Sequence, residues 1–373
     1  MLRECLDRTS IHSEQPLAYG PGWIGFFGYG LRAAFESVPE RHPDETGLPD
    51  VHLGYYPAVA VHDQAESCWW LVFRESAADA ARSIHACLKT CDDRRPFRVA
   101  SAPQPRVTRD TYLAAVERAV EYIYAGDVFQ VNYAHEFRAD FAGDPLGLYL
   151  ALRDSNPAPY GALLDLGRGD AVLSTSPELF LSLRGDRVRT RPIKGTAPRR
   201  DDPEQDARAR AGLLASEKDA AELAMIVDLE RNDLGRVCRP GTVVVDEAAV
   251  IESYTSVHHR VAEVSGTLEE EADRLDLLAA SFPGGSITGA PKIRAMEIID
   301  ELEAGRRGPY TGSIGILTDE GNMELNIAIR TAVLARGVVS VHVGGGIVAD
   351  SDPVAEYEET LDKGRAMFRA LTP

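Results

Sequence analysis

The order of the secondary-structure patterns constrains the fold of this chain more than any other feature of its sequence. Strand and helix patterns follow one another irregularly, whereas a doubly wound parallel sheet needs them to alternate. The clearest strand patterns lie at 128–137, 171–183, 310–317, 323–335 and 338–348. The clearest helical patterns lie at about 203–234, 270–280, 291–304 and 353–371. The sequence therefore predicts an α+β fold with large, mostly antiparallel sheets flanked by helices.

The chain has two parts of different character. Residues 1–100 form a smaller lobe rich in strand patterns, such as "GWIGFFGYG" (22–30) and "WWLVF" (69–73). The segment 92–107 is dense in proline and charge, which is typical of a linker. We therefore expect a larger domain at 105–373.

The overall charge disfavours two classes of binding partner. With 58 acidic and 40 basic residues the net charge is −18, and no basic stripe offsets it, which argues against nucleic acid and against an anionic membrane. No apolar run reaches the roughly 18–20 residues that span a bilayer. Five cysteines without metal-binding spacing are typical of reduced thiols, so we expect a cytoplasmic protein.

Two helical patterns carry acidic residues on one face. Asp219 and Glu222 lie one turn apart in the first, and Glu356 and Glu359 lie one turn apart in the second. Such a face is most often simply solvated, with an ion pair between Glu359 and Lys363. The alternative is a site for a hard cation such as Mg²⁺, which prefers a few carboxylates and retains water.

Two glycine-rich segments could bring bare backbone to a ligand. "FPGGSITGAPK" (282–292) leads into a helix whose free N–H groups could hold an anion, and "VHVGGGIVAD" (341–350) puts three glycines directly after a strand. Neither has the spacing of a phosphate loop or of a dinucleotide fingerprint, and a tight turn explains either segment equally well. His258 and His259 could do acid–base work, although most such histidines are simply packed.

One lysine stands at a constrained point of the sequence. The stretch "RPIKGTAPR" (191–199) places Lys194 between two prolines and beside a glycine. A lone lysine in a loop is most often an exposed surface residue. By itself, Lys194 therefore indicates no function.

These segments occur together, and in this order, in one family. From about residue 108 to 371 the chain resembles the chorismate-utilising domain shared by anthranilate synthases, aminodeoxychorismate synthases, and isochorismate and salicylate synthases. The resemblance rests on "GDVFQVNYAHEF", "TSPELF", "RPIKGTAPR", "SEKDAAELAMIVDLERNDLGRV", "FPGGSITGAPKIRAMEIIDELE", "YTGSIGIL", "IAIRT" and "GGGIVADSDPVAEYEETLDK". It implies a layered sandwich of two large, mostly antiparallel sheets with two intertwined lobes, and an N-terminal lobe shorter than is usual in the family.

The resemblance gives Lys194 a role. Relatives that form anthranilate typically have alanine at this position, whereas relatives that aminate chorismate at C4 have lysine. The resemblance implies that the Lys194 amine attacks C2 of the ring as the C4 hydroxyl leaves, and that ammonia then adds at C4 and expels the lysine. Only a neutral amine can attack, so we expect a lowered pKa at Lys194.

The resemblance also implies the acid and the incoming group. Glu178 of "TSPELF" matches the family's general acid, which would protonate the departing C4 hydroxyl and so needs a carboxyl that stays protonated near neutral pH. Gln130 sits where relatives that add water have a lysine that activates it. A glutamine amide takes up no proton, which fits ammonia as the incoming group. His259 matches a family histidine near the leaving group.

A magnesium site is implied in the same way. Glu222 and Glu359 match the metal ligands, and Asp219 and Glu356 would support the metal through water. The residues implied to bind substrate are Gln130, Gly195, Thr196, Ser286, Tyr310, Arg330, Gly344, Gly345, Gly346 and Lys363.

The implied activity is the formation of 4-amino-4-deoxychorismate from chorismate, towards p-aminobenzoate and folate. Three alternatives stay open at this point. The chain could form anthranilate, by amination at C2 with loss of pyruvate. It could be a catalytically silent family member that only binds, or Lys194 could form a Schiff base as in an aldolase. No segment resembles a glutamine amidotransferase, so ammonia is expected from a separate glutaminase subunit.

Overall fold

The computed structural model describes residues 2–10, 17–89, 95–255 and 257–372. Short 3₁₀ helices lie at Tyr29–Ala34, Glu75–Ala77 and Gly285–Ile287. The α-helices are α1 (Leu2–Thr9), α2 (Ala78–Cys87), α3 (Arg109–Tyr124), α4 (Pro145–Ser155), α5 (Pro203–Ala215), α6 (Glu217–Gly235), α7 (Arg274–Ser281), α8 (Lys292–Leu302) and α9 (Pro353–Ala370). Within the described ranges, no helix is both long and apolar enough to cross a membrane.

Most strands belong to two large sheets. The strands are β1 (Gly22–Phe27), β2 (Val51–Tyr56), β3 (Ala58–Asp63), β4 (Cys68–Phe73), β5 (Phe97–Val99), β6 (Gln104–Pro105), β7 (Gln130–Gly143), β8 (Tyr160–Gly167), β9 (Asp170–Ser176), β10 (Leu179–Arg184), β11 (Arg187–Arg191), β12 (Ile193–Pro198), β13 (Val244–Ser253), β14 (Val257–Thr267), β15 (Gly289–Ala290), β16 (Ser313–Thr318), β17 (Met323–Asn326), β18 (Thr331–Ala335) and β19 (Val338–Ile347).

The order of the strands confirms the predicted fold class. One sheet of nine strands runs β12-β14-β11-β10-β17-β16-β1-β2, with β13 beside β14. The other, of eight strands, runs β15-β7-β19-β18-β9-β8, with β5 and β6 against β7, while β3 and β4 form a separate hairpin. The paired strands of both sheets are antiparallel. The chain is therefore an α+β protein built on two large antiparallel sheets.

The two sheets face each other across a small apolar layer. Phe26 and Ile314 of the nine-stranded sheet pack with Val172 of the eight-stranded sheet, and all three side chains are almost fully buried. Helices α4 and α9 cover the eight-stranded sheet, and α6 packs on β12 and β14 of the other. Helices α6 and α9, which carry the two predicted acidic faces, are thus attached to different sheets.

Two segments that were predicted as single strands each form two strands in different sheets, joined by a short crossing. The patterns at 171–183 and 323–335 were each expected as one strand, but β9 and β18 lie in the eight-stranded sheet while β10 and β17 lie in the nine-stranded one. The two crossings are hydrogen-bonded to each other: the Ile327 N–H donates to the Glu178 carbonyl oxygen at 3.0 Å. Hydrophobic alternation records only which face is buried, so it cannot show that a strand changes sheets.

The structure also differs from the sequence-based prediction at one helix and at the expected linker. The helical pattern at 203–234 is divided into α5 and α6, because the Ser216 hydroxyl accepts a hydrogen bond from the Asp219 N–H at 3.2 Å and caps a new helix. The expected linker at 92–107 also carries structure, since β5 and β6 pair with β7 and bury Val99. Residues 90–94 of this region, including Cys91, lie outside the described residues.

Candidate functional site

Lys194 lies on β12, at the end of the nine-stranded sheet and beneath helix α6. Burial is the main reason that the pKa of its amine is lowered, and the nearby Lys363 ammonium adds to this effect. The carboxylates of Glu222, Glu178 and Glu359 act in the opposite direction. The direction of the shift is the one expected from the sequence, and the constrained lysine is not a free surface residue.

Gly195 allows helix α6 to approach this lysine closely. Its φ of +86° is in the left-handed region that favours glycine. A Cβ added here would lie 2.8 Å from Asp219 Cγ and 2.8 Å from Leu213 Cδ1. The turn after Lys194 therefore packs directly against the acidic face of α6.

Glu178 and Arg330 lie at the two sheet crossings. Glu178 is 4% exposed, and burial raises the pKa of its carboxyl, while Lys194 and Arg330 act to lower it. The Ser286 hydroxyl also lowers the pKa of Glu178, although its Oγ is without a hydrogen bond of normal geometry to the described residues. A buried carboxyl with a raised pKa can retain its proton and act as an acid.

A neutral asparagine orients Arg330. The Arg330 Nη1 donates to Asn156 Oδ1 at 3.0 Å, and the Asn156 Nδ2 donates to Thr175 Oγ1 at 2.9 Å. The Thr175 N–H in turn donates to the Arg330 carbonyl oxygen at 3.0 Å. Since Asn156 carries no charge, this hydrogen bond orients the Arg330 guanidinium without neutralising it, and the charge that acts on Arg330 is that of Glu178.

His259 lies opposite Thr196 in the pairing of β12 with β14. The His259 Nδ1 and the Thr196 Oγ1 are 2.9 Å apart and hydrogen-bonded. Burial, with help from Arg330, lowers the pKa of His259 to about 4, so the ring is neutral at physiological pH. Its Nε2 is buried without a hydrogen-bond partner among the described residues, which leaves a polar atom for a ligand.

The acidic face of α9 lies against the glycine-rich end of β19, and the Glu359 charge reaches Glu222 on α6. The Lys363 Nζ lies 2.7 Å from Glu359 Oε1 and donates to the Gly344 carbonyl oxygen at 3.3 Å. A Cβ added at Gly345 would lie 3.3 Å from Glu356 Oε2 and 3.9 Å from Glu359 Oε1. The bare backbone of β19 therefore lets α9 bring its carboxylates down onto the sheet.

Gln130, the first residue of β7, has its side-chain amide beside Gly346, the next glycine of β19. A Cβ added at Gly346 would lie 3.0 Å from its amide nitrogen, so this glycine also allows a close approach. Gln130 is fully buried, and neither its Oε1 nor its Nε2 has a hydrogen-bond partner among the described residues. An unpartnered buried amide costs free energy unless a ligand satisfies it.

Comparisons with known proteins identify the family of this chain. A family model described as chorismate binding enzyme matches residues 2–369. Aminodeoxychorismate synthase component 1 of Escherichia coli K12 is 42% identical over 374 residues, which is 100% of this chain and 82% of the relative. The chain belongs to the chorismate-binding enzyme family. Its resemblance to that family, inferred from the sequence motifs, is confirmed.

Two further family members show how far the similarity extends. Anthranilate synthase component 1 of Thermus thermophilus is 43% identical over 370 residues, 96% of this chain and 79% of the relative. The crystal structure of anthranilate synthase component I from Streptococcus pneumoniae TIGR4 superposes with a TM-score of 0.88 at 32% identity, covering 99% of this chain and 85% of that one. The fold is shared throughout, but two kinds of synthase are equally similar in sequence.

The carboxylates of this family member suit magnesium. Burial and the charges of Asp219 and Glu359 raise the pKa of Glu222, so the acidic groups repel one another. Lys218, 4.0 Å from Glu222, offsets part of that repulsion. In the part of the chain described, no three acidic, histidine or cysteine groups converge as a ready-made metal cage. Mg²⁺ needs no such cage, because it typically uses one or two carboxylates with water and substrate oxygens.

Tyr310, predicted to bind substrate, has its described ring contacts with His342 and Arg307 and not with Lys194 or Glu178. Its ring is buried and stacks on His342 with centroids 5.0 Å apart, and the Arg307 guanidinium lies 5.8 Å from its centroid. The contacts with His342 and Arg307 hold the Tyr310 ring in position. Its part in substrate binding stays a prediction.

Sequence reasoning missed several buried polar groups of this chorismate-binding fold. Asn156 supports Arg330 and ends α4 just before Pro157, a helix-stop signal that the sequence contains. Glu230 lies buried on α6, accepts a hydrogen bond from Thr190 at 3.1 Å and has a pKa raised by burial and by Glu178. No local pattern distinguishes Glu230 from the exposed acids of the same helix.

His258, named from the sequence together with His259, is hydrogen-bonded within the structure. His258 is hydrogen-bonded to the Ser253 hydroxyl at 2.7 Å and to Asp206 at 3.0 Å, and Asp206 also binds Arg199. His258 therefore fastens helix α5 to β14, the strand that pairs with β12, while His259 faces Thr196.

Proposed function

We propose that this chain converts chorismate and ammonia to 4-amino-4-deoxychorismate, towards p-aminobenzoate and folate. The overall similarity does not separate the possible products, since an aminodeoxychorismate synthase component 1 and an anthranilate synthase component 1 are 42% and 43% identical to it. The observation that carries the proposal is the Lys194 amine, whose pKa is lowered by burial in the same cluster as Glu178.

The proposed reaction proceeds in two displacements. The neutral Lys194 amine forms a bond to C2, the two ring double bonds each move one position, and the C4–O bond breaks as Glu178 gives its proton to the departing hydroxyl, which leaves as water. Ammonia then bonds to C4, the double bonds return, and the C2–N bond breaks to free Lys194. The added nitrogen loses a proton, which restores Glu178 to its acid form.

The other residues of the cluster bind and orient the substrate in this proposal. Arg330, held by Asn156, would meet a carboxylate of chorismate, and the unpartnered His259 Nε2 would hydrogen-bond near the C4 oxygen. Glu222 and Glu359 would hold Mg²⁺, with Asp219 and Glu356 supporting it through water. When bound, this ion would neutralise and fix the ring carboxylate.

Lysine in the turn also favours amination at C4 over amination at C2. An amine bonded to C2 excludes ammonia from that carbon, so the anthranilate route would be blocked. A Schiff-base mechanism at Lys194 would not use the carboxylates on α6 and α9, whereas chorismate amination would use them to hold Mg²⁺. We therefore infer that ammonia reaches C4, and that a separate glutaminase subunit supplies it.

One experiment tests the proposal. The purified chain is incubated with chorismate, Mg²⁺ and an ammonium salt, and the product is identified by mass. Retention of the pyruvyl ether together with the new amine supports aminodeoxychorismate, whereas released pyruvate would identify anthranilate. Lys194→Ala should abolish or redirect the reaction. The control Lys89→Ala, which changes an exposed lysine, should leave it unaltered. Glutamine without a partner should not replace ammonium.

A further inference from the structure

Two lysine side chains lie beside the two carboxylates that are proposed to hold Mg²⁺. The Lys363 Nζ lies 2.7 Å from Glu359 Oε1, one turn away on helix α9. The Lys218 Nζ lies 4.0 Å from Glu222 Oε1, one turn away on helix α6. Each proposed metal ligand therefore already has a cation of the protein beside it, which a metal ion would have to displace or tolerate.

The ion pair between Lys363 and Glu359 is weak enough to be exchanged. The side chains are 47% and 50% exposed. An exposed pair of this kind contributes little to stability, because water screens it and two flexible side chains must be held in one geometry. Mg²⁺ binds a carboxylate oxygen directly, at about 2 Å. A divalent ion at Glu359 would also repel the Lys363 ammonium, so the two cations compete for one carboxylate.

Lys363 lies where its ammonium can reach the proposed substrate. Its Nζ donates to the Gly344 carbonyl oxygen at 3.3 Å and lies 3.5 Å from the place of a Cβ at Gly345. The ammonium is therefore already in contact with the bare backbone of β19. Its charge also reaches Lys194, since it helps to lower the pKa of that amine. Lys363 thus lies within reach of both the acidic face of α9 and the proposed nucleophile.

We propose that Lys363 exchanges partners when Mg²⁺ binds, so that its ammonium leaves the Glu359 carboxylate and binds a carboxylate of chorismate. This proposal rests on the proposed function, which places Mg²⁺ and chorismate at this site, and it adds how the two ligands are coupled. Before the exchange, Glu359 neutralises the ammonium. After the exchange, the same ammonium holds the substrate, so Mg²⁺ and chorismate each strengthen the binding of the other.

Lys218 is the matched comparison for Lys363. Its side chain is 55% exposed, and it lies in the first turn of α6. Within the described part of the chain its ion pair is with Glu222, whereas Lys363 also bonds to the backbone of β19. Loss of the Lys218 charge should therefore remove a competing cation without removing a group that binds substrate.

The test measures binding by calorimetry with no ammonium present, so that no aminated product forms. Lys363→Met removes the ammonium and retains a long side chain. Without chorismate, this variant should bind Mg²⁺ about twofold to tenfold more tightly than the unmodified chain, because no lysine competes for Glu359. In saturating Mg²⁺ it should bind chorismate about tenfold or more weakly, because a charge-assisted hydrogen bond is lost. Without Mg²⁺, its affinity for chorismate should equal that of the unmodified chain.

Three further variants separate the exchange from simpler explanations. Lys363→Arg keeps a cation at the same place and should keep the Mg²⁺ affinity of the unmodified chain. Lys218→Met should also tighten Mg²⁺ binding, but it should leave chorismate affinity unaltered both with and without Mg²⁺. Glu359→Gln releases Lys363 in the absence of any metal, so without Mg²⁺ it should bind chorismate more tightly than the unmodified chain.

Several results would overturn the proposal. It fails if Lys363→Met weakens chorismate binding equally with and without Mg²⁺, since Lys363 would then be a substrate contact that does not depend on the metal. It also fails if Lys363→Met leaves the Mg²⁺ affinity unchanged or lowers it, or if the unmodified chain binds no Mg²⁺. Absence of chorismate binding would refute both this proposal and the proposed function. Released pyruvate in the product assay would refute the proposed function alone, because these titrations do not depend on which product forms.

Discussion

Gly195→Ala tests whether the turn after Lys194 must approach α6 as closely as it does. Alanine at φ +86° costs about 1–2 kcal/mol of backbone strain. Its Cβ would also lie 2.8 Å from both Asp219 Cγ and Leu213 Cδ1, well inside van der Waals contact. Relieving such overlap by moving neighbours costs about 1–3 kcal/mol. We therefore expect the free energy of unfolding to fall by about 2–5 kcal/mol.

The assay is urea unfolding of the variant and the unmodified chain, compared by their midpoints at a common slope. Gly212→Ala is the matched control, because Gly212 lies within helix α5 and a Cβ there meets nothing within 4 Å. That substitution should stabilise the chain by about 0.5–1 kcal/mol. The ammonium-dependent rate should fall in Gly195→Ala, since the overlap is relieved by moving either the Lys194 turn or Asp219.

Two outcomes would refute this reasoning. One is Gly195→Ala with the same unfolding midpoint as the unmodified chain, since neither strain nor overlap would then exist. The other is a destabilised Gly195→Ala with an unchanged rate, because the Lys194 turn would then tolerate a displacement that the proposed chemistry forbids.

Three further substitutions test the acid, the histidine and the metal site. Glu178→Gln should lower the amination rate about 10²–10⁴-fold, while the affinity for chorismate, measured by calorimetry, should change little. The rate of the unmodified chain should fall as pH rises past the raised pKa of Glu178, and this fall should be absent in the variant. The pKa of His259 falls from 6.5 to about 4, so between these values the unfolded chain binds a proton that the folded chain does not, and stability is lost as pH falls. His259→Asn should remove about 2 kcal/mol of the loss between pH 7 and pH 5, measured by urea unfolding; an equal loss in both chains would contradict the assigned pKa. Glu359→Gln should weaken Mg²⁺ binding in calorimetry about tenfold or more, and unaltered binding would exclude Glu359 as a ligand.

Much of the fold followed from local patterns, and the exceptions have identifiable causes. The strand and helix patterns led to the correct fold class because burial on one face imposes a period that the sequence displays. The crossings at Glu178 and Arg330 were missed, because a strand that changes sheets keeps the same apolar face. The boundary between α5 and α6 at Ser216 was not predicted, because the pattern at 203–234 predicts a single helix. Serine is nevertheless a residue type that commonly caps a helix, and its hydroxyl does so here.

Some residues of the site were likewise predictable from the sequence and others were not. Lys194, Glu178, Glu222 and Glu359 were identified from motifs that the family shares, and the structure brings their charges together. Asn156 could have been suspected as the end of a helix before proline. Its hydrogen bond to Arg330 joins residues 174 positions apart and has no local signal.

The sequence by itself determined which chemical groups this protein has and which faces of its helices and strands are buried, because residue type and periodicity are local properties. Only the tertiary structure decided the direction in which the pKa values of those groups shift. Burial beneath α6 lowers the pKa of Lys194, and burial at the sheet crossing raises that of Glu178. Both shifts arise from the loss of water when distant segments of the chain bury these groups, and the Lys194 and Arg330 charges that folding brings near Glu178 act against its shift.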